Sequence, residues 1–412
     1  MAEVTNYIDR LVAELCPDGV EYRPLSDVVE KNYGGGTPSK AKEEYWGGDI
    51  PWASVGDLSN DLMEIFDTRS KITPAGVSGS STNVVPAGAV IVAIKIAPGK
   101  MKIAGVDLAI NQDIRGLVLN DLMNARFLTY YFRTLRFAGH GTIVKSITNK
   151  RLMDTEVPVP PLEIQEAIVE ILDKFTNLEA ELEAELEART LQYEYYRDSL
   201  FEALDCPRAT LGELGKFYGG LKGKTKNDFG SSGARYISYK NVYENISADF
   251  TWPDFVQVKE GENQLSLMKG DILLTGSSEN MEEAGLSSVV TKEPEEEAYL
   301  NSFSICYRLN DPSILNPEFS KYLFRSRLAR KQIIRTAQGV TRFNVSKKKL
   351  ANVSVPIPTL EEQQRIVDIL DRFDALTSSL SEGLPAELAA RRSQYEYYRD
   401  QLLTFPRKGE NQ

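Results

Sequence analysis

The chain has 412 residues, 42% hydrophobic and 26% charged, with a formal net charge of -11. That length allows two or three domains with cores of their own, and no stretch approaches the about 20 apolar residues that cross a bilayer. Three cysteines (Cys16, Cys206, Cys306) and one histidine, His140, make neither a disulfide framework nor metal-ligand spacing, and the first residues lack the basic and apolar regions of a secretory signal; a cytoplasmic chain with no metal site and no membrane partner is expected.

The predicted order begins with a short helix at residues 1–17. A globular domain at 18–160 follows, mixing β-type runs such as 90–96 with Gly-, Pro-, Ser- and Asn-rich turns and a late helix. Pro158, Pro160 and Pro161 forbid a helix before Leu162. From there Ile164, Ile168, Ile171, Phe175, Leu178 and Leu182 recur in steps of four and three, the seam of a coiled coil. Leu186 shifts the phase and Tyr193, Tyr196 and Leu200 resume it. This spacer helix, 161–205, spans about 60 Å at 1.5 Å per residue. A second globular domain occupies 206–358, and a second spacer helix 359–405 carries the seam Ile366, Ile369, Phe373, Leu376, with a break or kink expected around Gly383, Leu384 and Pro385. Residues 406–412 are a tail.

The chain is a duplication. Residues 192–198 and 394–400 both read QYEYYRD, and Pro-rich segments starting at Val157 and Val355 precede matching Ile-Leu-Asp-x-Phe runs ending at Phe175 and Phe373. The frame extends into the domains: Tyr33-Gly34-Gly35 aligns with Tyr218-Gly219-Gly220, Trp52 with Tyr236, Gly88 with Gly270, and Phe127 with Phe319. Tyr7 and Asp9 resemble Tyr196 and Asp198, so the N-terminal helix resembles the tail of a spacer helix and belongs near the C-terminal one. The fold class expected is α+β: two globular domains separated by two long helices packed as an antiparallel coiled coil, in a pseudo-twofold internal repeat. An apolar stripe on a lone helix needs such a partner.

Charge is segregated. Twelve acidic and three basic residues lie between Glu163 and Leu204, nine acidic and five basic between Glu361 and Phe405, and the rest of the chain is neutral to slightly basic. Residues 319–360 hold ten Lys/Arg and no acid, and 126–153 hold six and none. Basic stretches at equivalent places in both copies fit phosphate contact; the plain alternative is a solvated helix face. Base edges are read by forks and amides. The candidates are Thr37, Ser39, Lys40, Lys42, Asn111, Gln112 and Lys145 in the first domain. In the second they are Lys222, Lys224, Lys226, Lys240, Asn241, the segment from Ser277 to Asn280, Arg342, Asn344, Lys347 and Lys348. The repeated tyrosines Tyr193, Tyr195, Tyr196, Tyr395, Tyr397 and Tyr398 are candidates for docking a partner protein.

Catalytic readings fail on spacing. Gly219…Gly223-Lys224-Thr225 is one residue short of a phosphate-binding loop, and Gly34-Gly35-Gly36 is a turn. His140, between Gly139 and Gly141, reads as a loop residue, beside DNA if anywhere. No Asn/Asp-Pro-Pro-Tyr/Phe tetrapeptide of an amino-methyltransferase is present, so no catalytic residue is expected.

In Gly35-Gly36-Thr37-Pro38-Ser39, Tyr45-Trp46, Ile50-Pro51-Trp52, the two Pro-rich segments and both QYEYYRD repeats, the chain resembles the specificity subunit of type I restriction–modification systems over essentially its whole length. The second domain departs at Leu221-Lys222-Gly223-Lys224, where Gly-Thr-Pro-Ser would stand. The resemblance implies that each domain reads half of a bipartite target in double-stranded DNA. It implies that the helices dock two methyltransferase subunits, which hold S-adenosylmethionine, and that restriction subunits using ATP and Mg join them, with no cofactor bound by this chain. Rival readings are the specificity subunit of a type IIB-like system, a coiled-coil scaffold without a DNA role, and an enzyme using the Lys224-Thr225 loop.

Overall fold

The computed structural model describes residues 2–60, 62–137, 145–259, 261–377 and 383–409; His140, Gly139 and Gly141 lie outside them. Two compact units divide the chain, one of residues 1–181 with 388–412 and one of residues 182–387.

Both units build the same sheet. In the first, strands Val29–Gly34, Ile114–Leu119, Val90–Ala93 and Met101–Ala104 lie side by side, antiparallel, with Glu64–Ile65 added at the edge. In the second, Gly215–Gly219, Ser304–Leu309, Ile272–Thr275 and Ser287–Val289 repeat that order. Tyr33 faces Gly116 in one and Tyr218 faces Cys306 in the other. Beside each sheet runs one short parallel pair, Trp52 on Ala109 and Tyr236 on Tyr299. Buried Val, Ile and Leu along Val90–Ala93 and Ile272–Thr275 make these central strands. The repeated Tyr-Gly-Gly has a steric reason: a Cβ on Gly35 would strike the carbonyl of Asn111, and one on Gly220 that of Asn301.

A helix follows each sheet, Ala125–Thr134 capped by the Asn124 side chain and Pro317–Leu323 capped by Asn316. The helix Leu162–Glu202 starts where the prolines permit. In the first unit Phe175 stacks on Tyr398 at 5.8 Å, and Arg392 pairs with Glu179 at 2.6 Å, so the last helix runs antiparallel to Leu162–Glu202 there. In the second, Tyr196 stacks on Phe373 at 5.5 Å. The C-terminal spacer, expected over 359–405 with a break or kink around Gly383, is not one continuous helix. It is two, Leu360–Thr377 and Gly383–Leu402. Gly383 has φ +80, which breaks helical continuity where Pro385 would also remove a main-chain donor.

The first unit closes on both chain ends. Ile8 of the helix Ala2–Leu15 is buried in one core with Leu402, Leu403 and Phe405. Val20 donates to the Pro406 carbonyl at 2.8 Å and accepts from Lys408 at 3.0 Å. The Arg407 guanidinium sits 4.1 Å over the Tyr22 ring. Among the described residues no helix is long and apolar enough to cross a membrane.

Candidate nucleic-acid interface

The repeated sequence in the spacer helices is explained by the joint between helix and domain. Gln165 donates to the carbonyls of Leu122 and Pro160 at 2.8 Å each, and accepts from Asn124 at 2.8 Å. Gln363 does the same with Ile314, Pro358 and Asn316. Tyr130 donates to Asp173 at 2.6 Å, and Tyr322 to Asp371 at 2.6 Å. Burial first, and the neighbouring carboxylate second, push both phenols far above the usual tyrosine range. Sequence reading aligned the two Asp residues but assigned no role to either Gln or Tyr; their identical offsets in the two copies were the available signal.

The basic stretches are partly structural, which corrects their assignment as a whole to phosphate. Arg325 donates to the carbonyls of Ser287, Val242 and Tyr243, and Arg330 to those of Gly285, Glu282 and Ala284. Burial draws each guanidinium down to about 10, with mutual repulsion adding to the effect on Arg325. Lys321 pairs with Glu318 and Asp371, and Arg327 with Glu202. In the first unit Arg126 pairs with Glu64 and Asp173. Absence of acid in the local sequence did not mean absence of acid or carbonyl acceptors across the fold. Lys331, Arg335, Arg342, Lys347, Lys348 and Lys349 do face solvent.

The base-reading candidates separate in the same way. Three are used inside the protein. Asn111 is 7% exposed, its Oδ1 accepting from Asp113 at 3.0 Å in a tight turn. Asn241 is fully buried and bonds the main chain of Asp249 through both side-chain atoms. The side chain of Lys224 is 4% exposed, its ammonium held by Glu262 and the Gln257 carbonyl. With that ammonium and the Thr225 hydroxyl, which donates to Asp228, both engaged, the loop is a structural turn. Ser277 and Ser278 are buried as well, and the others reach the surface. Thr37 donates to Gln112, joining two candidates. The loop bearing Ser39 and Lys40 is propped by Trp46, whose Nε1 donates to the Ser39 carbonyl at 3.2 Å, and by Trp52, which donates to that of Gly36 at 3.0 Å. Lys42 donates to the Tyr45 hydroxyl at 2.8 Å.

In the second unit Lys222 and Lys347 are neighbours: partial burial first, and repulsion from Lys222 second, hold Lys347 below the usual lysine range. Lys348 and Lys226 are exposed. A cavity of about 410 Å³ gathers Tyr239, Lys240, Tyr243, Glu279, Phe303 and Arg342. Arg342 donates to Ser277 at 3.2 Å, and Asn344 stands opposite Ser277 in a two-strand pairing. Asn280 caps the turn Met281–Glu283 there. Lys240 pairs with Glu244 and lies 5.7 Å from the Trp252 ring centroid. Phe303 is 63% exposed and sequence reading did not single it out. Lys145 of the first unit stands one residue before the position that matches Asn344. Its neighbour Ser146 bridges Lys95, and Ile147 donates to Ile94 as Val345 donates to Gly276.

Four of the six docking tyrosines are engaged along the seam, although Tyr196 remains 43% exposed. Tyr196 and Tyr398 stack on Phe373 and Phe175, and Tyr193 and Tyr395 pack against the two cores, because all four hold seam-facing helix positions. Tyr195 and Tyr397 project outward, 70% and 58% exposed.

Comparison with known proteins gives these surfaces a family. The model of the type I restriction modification DNA specificity domain matches twice, at residues 17–188 and 208–390. The chain is 35% identical over 302 residues to the Type I restriction enzyme EcoR124I/EcoR124II specificity subunit of Escherichia coli, covering 68% of this chain and 71% of that one. It is 28% identical over 416 residues to the EcoprrI specificity subunit of the same organism, covering 93% of each. A solved structure concerned with complex assembly and conformational transition of the type I R-M system contains a chain with the same fold, at TM-score 0.66 and 17% identity, over 93% of this chain and 97% of that one. With two specificity domains matched and both built on one repeated sheet, this chain belongs to the family of type I restriction–modification DNA specificity subunits.

Proposed function

We propose that the chain reads duplex DNA for a type I restriction–modification complex and carries no catalysis of its own. Each domain, at 18–160 and 206–358, contacts one part of an asymmetric two-part sequence, and the spacer helices dock two methyltransferase subunits. S-adenosylmethionine belongs to those subunits, and ATP and Mg to restriction subunits that join them in the cytoplasm. The DNA set is Thr37, Ser39, Lys40, Lys42, Gln112 and Lys145 on one side. On the other it is Lys222, Lys226, Lys240, Asn280, Arg342, Asn344, Lys347 and Lys348.

One observation carries this reading. The same main-chain frame, strand for strand, presents different side chains at matching places, Lys95 and Ser146 in one unit and Ser277 and Asn344 in the other. One scaffold with two surfaces suits a target whose halves differ. Long-read sequencing of adenine methylation, with and without the gene, tests it. A two-part motif that vanishes with the gene is expected. An unchanged methylome in cells that express the methyltransferase subunit would overturn the reading.

A further inference from the structure

Ile96 is the one non-glycine residue with positive φ, +67, among the described residues. Ala97 donates to the Lys95 carbonyl at 2.7 Å, which makes residues 95–97 a γ-turn of the rare, strained kind. A β-branched residue is a poor choice for such a turn, yet its side chain is 61% exposed, so no core packing rewards it. The turn is held from outside: Ile96 donates to the Lys145 carbonyl at 2.8 Å, Lys95 bridges Ser146, and Gly99 donates to Ala93 at 2.9 Å. Strain that persists without a packing return belongs to sites where an exact side-chain placement is used.

Beneath this turn lies a cavity of about 500 Å³ lined by Lys100, Lys102, Arg133, Arg136, Lys145 and Arg399, with no acidic group among the described lining residues. Lys102 is 2% exposed and its ammonium is held by Asn60, which also lines the cavity. The hydroxyl of Tyr395, on the same wall, is buried and has no hydrogen-bond partner among the described residues. Phe137, stacked on Phe132 at 5.7 Å, packs against Gly99 beside it. Six cationic side chains line one space with an orphan donor, Arg399 among them already paired with Asp400 at 2.7 Å, and the remaining charge suits a phosphate. The cavity of about 410 Å³ in the second unit, by contrast, has Glu279 and Glu283 in its lining.

We propose that this cavity seats a backbone phosphate of duplex DNA and that the strained turn presses the Ile96 side chain against the adjoining base pair, as a specificity contact. The inference rests on the DNA-reading function above and adds a site to it. Apolar side chains serve this purpose by meeting a thymine methyl or a base step. Its peculiarity is a trade: the turn lowers stability to hold Ile96 in place.

The test uses the full chain assembled with its methyltransferase subunits, a short random-sequence duplex and a duplex carrying the methylated motif. Lys100→Ala/Lys145→Ala should weaken both duplexes and reduce the log–log salt slope by about 2. Ile96→Gly should raise the thermal midpoint, because glycine accepts the turn, and should weaken the motif duplex roughly fivefold or more while leaving the random duplex little changed. A wild-type slope in the double variant, or unchanged motif preference in Ile96→Gly, would overturn the proposal. So would inorganic phosphate raising the wild-type thermal midpoint while the double variant binds DNA normally, since the cavity would then serve a small anion. A wild-type complex that binds neither duplex would instead sink the DNA-reading function itself.

Discussion

Gln165 and Gln363 each satisfy three main-chain groups where a domain meets its helix, and both are fully buried. Removing the amide strands those groups away from water, at about 1–3 kcal/mol for each one left unpaired. Gln363→Leu should therefore lower stability by about 3 kcal/mol or more in denaturant unfolding; a change within 0.5 kcal/mol, roughly the surface background, would mean water replaces the amide. The lysines and arginines of 319–360 call for the opposite readouts. Lys347→Ala/Lys348→Ala/Lys349→Ala should flatten the salt dependence of DNA binding and leave unfolding nearly unchanged. Arg330→Met should cost about 3 kcal/mol, because it strands three carbonyls, and keep the wild-type salt slope in whatever fraction remains folded. Identical slopes for both variants would erase the distinction drawn between inward and outward cations. This distinction was not legible in the sequence. A run free of acid reads as a basic face, but Arg325 and Arg330 meet carbonyls contributed by distant segments.

The spacer helices were legible as elements, in start, seam and approximate end. Alternating steps of three and four predict a stripe, and Phe175 and Tyr196 do lie against aromatic partners. What the pattern overstated was the outward role of the tyrosines. Each QYEYYRD copy packs two rings along the seam, Tyr196 still 43% exposed among them, and leaves Tyr195 or Tyr397 pointing outward. Tyr195→Ser/Tyr397→Ser should leave the thermal midpoint within about 1 °C, since exposed substitutions change stability little, and weaken association with the methyltransferase subunit, read by sedimentation or calorimetry. Tyr398→Ala should do the reverse at first order, losing about 3 kcal/mol of stability through a lost ring stack and the cavity left behind. Equal loss of association in both variants would argue that docking depends on helix integrity alone.

At the scale of the molecule, the first unit is completed by the end of the chain. A protein stopped after residue 401 would lose Leu402, Leu403 and Phe405 from a core containing Ile8, together with both main-chain bonds to Val20. Its first unit should melt well below its second, as separate transitions in calorimetry; one unshifted transition would show that the C-terminal segment is dispensable. The length of the helix Leu162–Glu202 makes a further prediction. Four residues inserted beside Leu186 add about 6 Å of helix and should lengthen the unread gap in the methylated motif. A complex that stays active with an unaltered gap would show that helix length does not set it.

The sequence by itself determined the duplication, the alternation of domain and helix, the N-terminal helix that belongs beside the C-terminal one, and the family. Each is carried by local or periodic patterns: Pro before a helix start, seam spacing, and identical words at matching places. Only the tertiary structure decided which polar residues serve the fold and which face outward. Asn111, Asn241 and Lys224 have the chemistry of base readers, yet partners outside their local sequence claim their donors and acceptors. Ile96 has no such chemistry, and its strained turn exists because a hydrogen bond to Lys145 and a bridge from Lys95 to Ser146 hold it from another part of the chain. Hydrogen-bond satisfaction and backbone strain are properties of what surrounds a residue in space, and the order of the letters does not contain them.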